Sequence, residues 1–377
     1  MLCLNEQDLL QLWNDLHEMP EVSWQEKKTT AYLIDYFKRA GFEPHPFESI
    51  PGFYVDIGSG RPLVGLRADI DAVLQEIDGK LQANHSCGHD AHMAIVTGTM
   101  FALKEKADRL RGTVRAIFQP AEELGNGAVK VVETGIVDDL DYLFGVHVRP
   151  KTEIQFPACA AGIQHGACAF VKGKIVGADH HGARPHEGVN AIEVGSAIIE
   201  HLQHIHTSPF VPASIKMTKF HAGTDSLNVI PGEASFGVDI RAQTNDVLKE
   251  LKLKLEKILT SVMELYHIRI EYEFFDEVPA AVISKEAEQI LYDAISLCLG
   301  KEHAQKRIVT SGSDDFHFYT LLRPNIKATM LALGADVQPG LHAPNMTFHK
   351  EALMNGVKIL RTACETLLQG GDADEKN

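Results

Sequence analysis

The sequence predicts an α/β protein in which a catalytic domain built on a mixed sheet is interrupted by a smaller, ferredoxin-like α+β domain. Three observations lead there. Up to about residue 150, strand, helix and strand alternate with polar residues gathered at the strand ends, the pattern of an α/β catalytic sheet. From about Gly166 the order becomes β-α-β-β-α-β, that of a ferredoxin-like sandwich. Signals of the first kind return from Lys285, so residues 166–279 read as an insertion between residues 1–165 and 280–377 of a discontinuous larger domain. A chain of 377 residues also exceeds the size at which one core keeps growing.

Taken in order, residues 6–17 read as a helix, and helical periodicity resumes near Trp24 and continues through Leu33, Tyr36 and Phe37 until Gly41 stops it. Residues 53–57 and 63–68 are strand candidates, the second delivering Arg67, Asp69 and Asp71 at its carboxyl end; solvated loop residues are the alternative. A helix to about Leu110 leads into a strand over 112–119 that ends in Pro120-Ala121-Glu122-Glu123. Two adjacent carboxylates just past a buried strand are costly to place together unless a cation neutralises them, or else they sit on a solvated turn. A helix over 128–134 precedes the apolar strand 142–148, near whose end His147 is either a ligand or a hydrogen-bonded core residue.

In the insertion, strands are expected from Ala167, over 214–221, 233–242 and 268–275, with amphipathic helices over 190–206 and from 246 to about 265. Beyond it come a helix over 286–298, the string GSDDFHFY, a strand over 328–333, the loop GADVQPGLHAPNMTFH and a last helix over 350–368. The tail GGDADEKN reads as solvated.

The formal charge of −15, from 51 acidic against 36 basic residues, argues against nucleic acid or an anionic membrane as partner. The first residues carry Glu6, Asp8 and Asp15 with no basic n-region, and no apolar run is long enough to span a bilayer, so a cytoplasmic protein is expected. Six scattered cysteines (Cys3, Cys87, Cys159, Cys168, Cys298 and Cys364) fit reduced thiols. Only Cys87 has unusual neighbours. The stretch NHSCGHDAHMAIVTGT packs His85, Cys87, His89, Asp90 and His92 together and then turns helical. Gly88 lets the backbone turn so that thiolate and imidazole could face one metal centre; a buried thiol among helix-capping polar residues is the alternative.

The strings LHEMPEVSWQE, LRADIDA, HSCGHDAH, FQPAEE, GVHVRP, HHGARPH, LNVIPGEASFGVDIR, GSDDFHFY and LHAPN, in that order, give the chain a resemblance to the M20 family of metal-dependent amidohydrolases and peptidases. Within it, the chain resembles the branch of N-acyl-amino-acid amidohydrolases that includes hippurate and indoleacetyl-amino-acid hydrolases. Each string alone is weak; the ordered set spans nearly the whole sequence.

The resemblance implies a zinc-peptidase-like sandwich holding two divalent ions, Zn or Mn, on Cys87, His89, Glu123, His147 and His342, with Cys87 bridging. It implies Glu122 as general base, with Asp69 and His181 also among the catalytic residues, and Asn228, Arg241 and His186 toward the substrate. His181 would come from the other subunit of a homodimer formed through the inserted domain, which would also act as a lid. The polar loop of Asp179, His180, His181 and His186 could equally be surface, and Arg241 could simply close a strand with a salt bridge. His349 competes with His342 as ligand, while Asp90 and His92 are expected to orient ligand imidazoles. The implied reaction is hydrolysis of a small N-acyl amino acid or related amide; a dipeptidase or aminopeptidase and a catalytically silent binding protein are the rival classes. The chain departs from the branch at Val73-Leu74, where Leu-Pro is usual, and at Asp314, where Glu is usual.

Overall fold

The computed structural model describes residues 4–368, so Cys3 and the acidic tail from Gly370 lie outside the described residues. The chain divides into two compact units. One comprises the chain up to Gln164, Val282–Val309 and the chain from Asp315; the other comprises His165–Ala281 and Thr310–Asp314. The short segment 310–314 therefore goes with the inserted unit, although sequence placed it in the larger domain.

The larger unit is organised by an eight-stranded sheet in the order Pro44–Pro46, Phe53–Ser59, Gly112–Gln119, Leu63–Asp69, Tyr142–Pro150, Lys327–Val337, Cys159–Ala160 and Ala304–Gln305. The four strands from Gly112–Gln119 to Lys327–Val337 run parallel to one another. They are buried almost throughout, because apolar clusters cover both faces of the sheet, and their sequences accordingly show no alternation. The helix His89–Lys104 is also buried on all sides, which is why its apolar residues follow no amphipathic stripe.

Local signals explain the flanking elements. Asn5 and Asp8 form a capping box at the helix Glu6–His17, which turns Leu9, Leu12, Trp13 and Leu16 inward. The second helix begins at Lys27, not near Trp24, because Trp24 adopts a left-handed backbone (φ 66°) that a right-handed helix cannot contain. It ends before Gly41 at φ 73°. The helix expected to reach Leu110 stops at Lys104, followed by a short 3-10 turn, Ala107–Arg109. Sequence reading missed the hairpin Val73–Ile77/Lys80–Asn84, whose turn residues Asp78 and Gly79 both have positive φ, and which pairs with no other strand among the described residues.

The inserted unit has the antiparallel order Ala213–Ala222, Ala234–Ala242, Ala167–Val176, Arg269–Val278. By position in the chain that is second, third, first, fourth, the ferredoxin-like arrangement. Its helices Ala191–Gln203 and Asn245–Tyr266 bury Val194, Ile198, Leu251, Leu255 and Leu259 in one cluster with Val171, Val238 and Ile240 of the sheet. A two-residue ribbon, His180–His181 against Val229–Ile230, stands apart from this sheet.

Candidate metal centre

The larger unit gathers its polar residues at the carboxyl ends of the parallel strands, where strand termination leaves the backbone free to turn side chains toward a common point. Strand Tyr142–Pro150 brings His147, whose Nε2 lies 3.7 Å from Cys87 Sγ. Between Cys87 and His89, Gly88 takes φ 89°, and a Cβ there would meet Val148 Cγ2 at 2.4 Å, so this turn requires glycine. Past Gln119, Glu122 Oε2 and Glu123 Oε1 each lie 3.7 Å from His89 Nε2. His342 arrives on a loop with φ 64°; its N–H donates to the Ser86 carbonyl at 2.7 Å, and its Nε2 stands 3.5 Å from Glu123 Oε1.

The ligand atoms of Cys87, His89 and His147 lie within 4.8 Å of one another, and so do those of Cys87, Glu123 and His342. Cys87 belongs to both sets, as a thiolate shared by two ions must. The imidazoles are oriented for the same purpose. His89 Nδ1 faces the Asp71 carbonyl at 2.9 Å and the Asp71 carboxylate at 3.2 Å, while His147 Nδ1 faces the Val148 carbonyl at 2.8 Å. A ring nitrogen beside an acceptor carries a proton, so the nitrogen that each imidazole turns into the cluster, and can offer a cation in its neutral form, is Nε2. His89 Nε2 and Glu123 Oε1 are buried and make no hydrogen bond. Buried polar atoms without a hydrogen bond are costly, and a cation between these two removes that cost.

Electrostatics agree with this fit. Burial, with Glu123 adding to it, pushes the Cys87 thiol well up. Burial likewise raises Glu123, against the pull of His89 and His342. Burial works to lower His89, but Asp69, Cys87 and Asp71 outweigh it and hold the imidazole well above its ordinary value. His147 is held well below by burial, with His92 and Arg149 contributing, so it stays neutral. Negative charge crowded into a buried space is what divalent cations relieve, and a cation competes with protons for the thiolate and for His89.

A buried network lies beneath the centre. Arg67 donates to Asp69 at 2.5 Å, to Asp315 at 2.7 Å and to Gln119 at 2.8 Å. His92 Nδ1 faces the other Asp69 oxygen at 2.7 Å, and its Nε2 accepts the Val148 N–H at 3.1 Å. Both His92 nitrogens are thus occupied, and Asp69 is fully buried between His92 and Arg67, with one oxygen 3.8 Å from His89 Nε2. Asp90 does not orient a ligand imidazole, contrary to expectation: its carboxylate faces His17 Nδ1 at 2.7 Å and accepts the Ala91 N–H. His349 stacks on the Phe156 ring at 4.3 Å and joins no ligand group among the described residues.

Asp71 is the site residue that sequence reasoning named but assigned no role. It is fully buried and accepts from Ser23 Oγ at 2.7 Å and from the Glu123 N–H at 3.0 Å while facing His89. Its spacing of two from Asp69 at a strand end was the available signal. The departure at Val73-Leu74 opens the hairpin, whose Gln75 donates to the His342 carbonyl at 2.9 Å. Asp314 is buried in the inserted unit's segment 310–314, whereas the neighbouring Asp315 enters the Arg67 network.

The other site candidates lie in the inserted unit. His181 is exposed, and its Nδ1 accepts the Ala183 N–H at 3.0 Å. His186 and Asn228 are exposed as well. Arg241 pairs with Asp239 at 2.7 Å and stacks over Phe170 at 5.1 Å, so the salt bridge considered for it is present.

Comparison with known proteins converges on this geometry. The N-acetyl-L-cysteine deacetylase of Bacillus subtilis (strain 168) is 28% identical over 97% of this chain and 90% of its own. The IAA-amino acid hydrolase ILR1-like 4 of Arabidopsis thaliana is 31% identical over 81% of this chain and 72% of its own. Among solved structures, the YXEP protein of Bacillus subtilis, a dinuclear metal binding peptidase from the M20 family, superposes with a TM-score of 0.80 at 25% identity, covering 97% of this chain and 98% of that one. The pattern of peptidase family M20/M25/M40 matches residues 65–366, a span that runs from the strand bearing Asp69 to the last helix and includes every ligand candidate. The chain therefore belongs to peptidase family M20/M25/M40 and is a metal-dependent hydrolase of amide bonds.

Proposed function

We propose that this protein hydrolyses the amide bond of N-acyl amino acids or closely related small amides, with Cys87, His89, Glu123, His147 and His342 holding two divalent ions. The observation that carries this reading is the sharing of Cys87 between two ligand sets in which His89 Nε2 and Glu123 Oε1 are buried without a hydrogen bond among the described residues. When bound, the ions supply Lewis-acid polarisation of the scissile carbonyl and acidify water. Thiolate and imidazole ligands favour Zn, while the carboxylate tolerates Mn.

Glu122 acts as general base, taking a proton from the attacking water and returning it to the departing amine. Its carboxylate is only 12% exposed, so the proton it takes is not lost to bulk solvent. Asp69 serves catalysis through position, by fixing His92 and Arg67 around the cluster. Arg241, Asn228 and His186 contact the substrate in this reading, Arg241 by exchanging its Asp239 partner for the substrate carboxylate, which fits the paired donors of a guanidinium.

The enzyme is a cytoplasmic homodimer in this reading. No helix among the described residues is long and apolar enough to cross a membrane. Among the described residues the strand Ala213–Ala222 has a sheet neighbour on one side only, an edge that pairing with a second copy would cover. His181 crosses to the partner's centre. Because its Nδ1 accepts a backbone N–H, the neutral ring carries its proton on Nε2, the donor an oxyanion requires.

The test is a panel assay on protein stripped with a chelator and restored with Zn or Mn separately. N-acetyl, N-benzoyl and indoleacetyl amino acids should be cleaved in the restored enzyme only. Cleavage of unblocked dipeptides in preference to all of them would assign a peptidase instead.

A further inference from the structure

The segment PEVSWQE, residues 20–26, has no part in the chemistry above, yet it runs under the site and touches it three times. The Glu21 carbonyl accepts the Ala72 N–H at 2.8 Å, Ser23 Oγ donates to Asp71 at 2.7 Å, and Glu26 Oε1 accepts the Ala121 N–H at 2.8 Å. Glu26 is the N-cap residue of the helix Lys27–Arg39, but its side chain makes no capping bond there. It reaches instead across the sequence to the turn that carries the two catalytic carboxylates. It is 0% exposed, and its second oxygen, Oε2, is buried without a hydrogen-bond partner.

The turn it reaches is held in a conformation it would not choose. Ala121 adopts φ 55°, in the left-handed region that a side-chain-bearing residue adopts only under strain. On either side of Glu122, the flanking amides are anchored by carboxylates from elsewhere, Ala121 N–H by Glu26 and Glu123 N–H by Asp71. Glu122 itself is therefore presented between two fixed points, and the first of them is Glu26.

We infer that Glu26 is a positioning residue for Glu122: its buried carboxyl holds the strained Ala121 peptide so that the general base meets the substrate water in a fixed place. The inference rests on Glu122 being that base. A helix cap is excluded as the reason for this glutamate by the absent capping bond, and solvation by its burial. Burial pushes its pKa up to about 7, and Asp71 adds to that. What the Ala121 N–H takes from it is an acceptor oxygen at Oε1, which the carboxylic acid and the carboxylate both offer, and an amide as well.

That distinction sets the test, made on the full-length, metal-restored protein. Glu26→Ala should lower kcat about 10- to 100-fold, the range a displaced catalytic group costs, with KM changed less than about threefold and bound metal unchanged. Hydrogen exchange of the peptide containing residues 121–123 should quicken. Glu26→Gln, which keeps the acceptor, should restore kcat to within about fivefold of the parent and restore exchange protection. If Glu26→Ala does not fold, Glu26→Asp, which withdraws the acceptor by one methylene, should show the same kcat loss in milder form with KM and metal intact.

Three results overturn the inference: Glu26→Ala within twofold of the parent in kcat, Glu26→Gln as slow as Glu26→Ala, or metal lost in step with rate. Glu122→Gln runs alongside as a separate control. If that variant keeps the parent rate, the base assignment has failed, and the exchange data still report whether Glu26 holds the turn.

Discussion

Replacing Asp71 by Asn tests the assembly of the centre more sharply than replacing any ligand, because Asn is isosteric and exchanges one carboxylate oxygen, with its charge, for an NH₂ donor. Asp71 presents one oxygen to Ser23 Oγ and the Glu123 N–H, and the other to His89 Nδ1 at 3.2 Å. An Asn side chain has one acceptor and one donor end. The Glu123 N–H cannot reverse its role, whereas the Ser23 hydroxyl can, so the amide oxygen must face Glu123 and the NH₂ must face His89. That sets donor against donor at the imidazole, leaving only the Asp71 backbone carbonyl, at 2.9 Å, to orient His89. Loss of such a supporting contact costs 10- to 100-fold in metal affinity, about 1.4–2.8 kcal/mol. Competition against a chromophoric chelator measures it directly, with Ser23→Ala as a control that removes a neighbouring contact without touching His89. An Asp71→Asn protein that binds both ions within about threefold of the parent would refute the claim that this carboxylate sets the His89 lone pair.

Glu122→Gln should keep both ions and lose at least 100-fold in kcat, whereas Glu123→Gln should lose metal first; elemental analysis and single-substrate kinetics separate the two, and equal metal loss in both would end the division of labour. Mixing inactive Glu122→Gln with inactive His181→Ala should regenerate activity once subunits exchange, since a hybrid dimer holds one site with both residues intact; a dead mixture with demonstrated exchange places His181 in its own chain or outside the reaction. Lys350, clamped between the Trp13 and Phe348 rings at 3.4 and 3.5 Å, has its pKa lowered to about 8 by burial. The folded protein therefore binds fewer protons than the unfolded chain between about pH 8 and the ordinary lysine value, and the wild type gains stability as pH rises through that window. Lys350→Met should accordingly raise the melting temperature most at pH 7, with the advantage shrinking toward pH 10; an advantage independent of pH would show that packing, not charge, governs this position.

Much of this protein is legible in its sequence, for reasons that differ from element to element. The helix Glu6–His17 and the strand Gly112–Gln119 could be read to the residue, the first because Asn5 and Asp8 announce a capped start and the second because glycine and proline bracket an apolar run. The insertion was visible because period-two and period-3.6 patterns alternate in ferredoxin order whatever the tertiary setting. Cys87, His89 and the carboxylate pair stood out because such residues side by side are costly without a cation.

What sequence could not determine is which atoms finish within reach of one another. Asp69, Asp71 and Asp90 are alike as letters, yet one is tied to Arg67 and His92, one orients His89 and anchors Glu123, and one pairs with His17. Trp24 and Ala121 carry no sign of the left-handed backbone they adopt, because that strain is imposed by partners distant in the chain and not by local preference. Glu26 reads locally as the start of a helix; only the fold, by bringing Ala121 within 2.8 Å of its carboxyl, turns it toward the site. Periodicity and turn chemistry are local and survive in one dimension, whereas hydrogen-bond partnership is a property of closed distances, and those exist only once the sheet has put the ends of its parallel strands side by side.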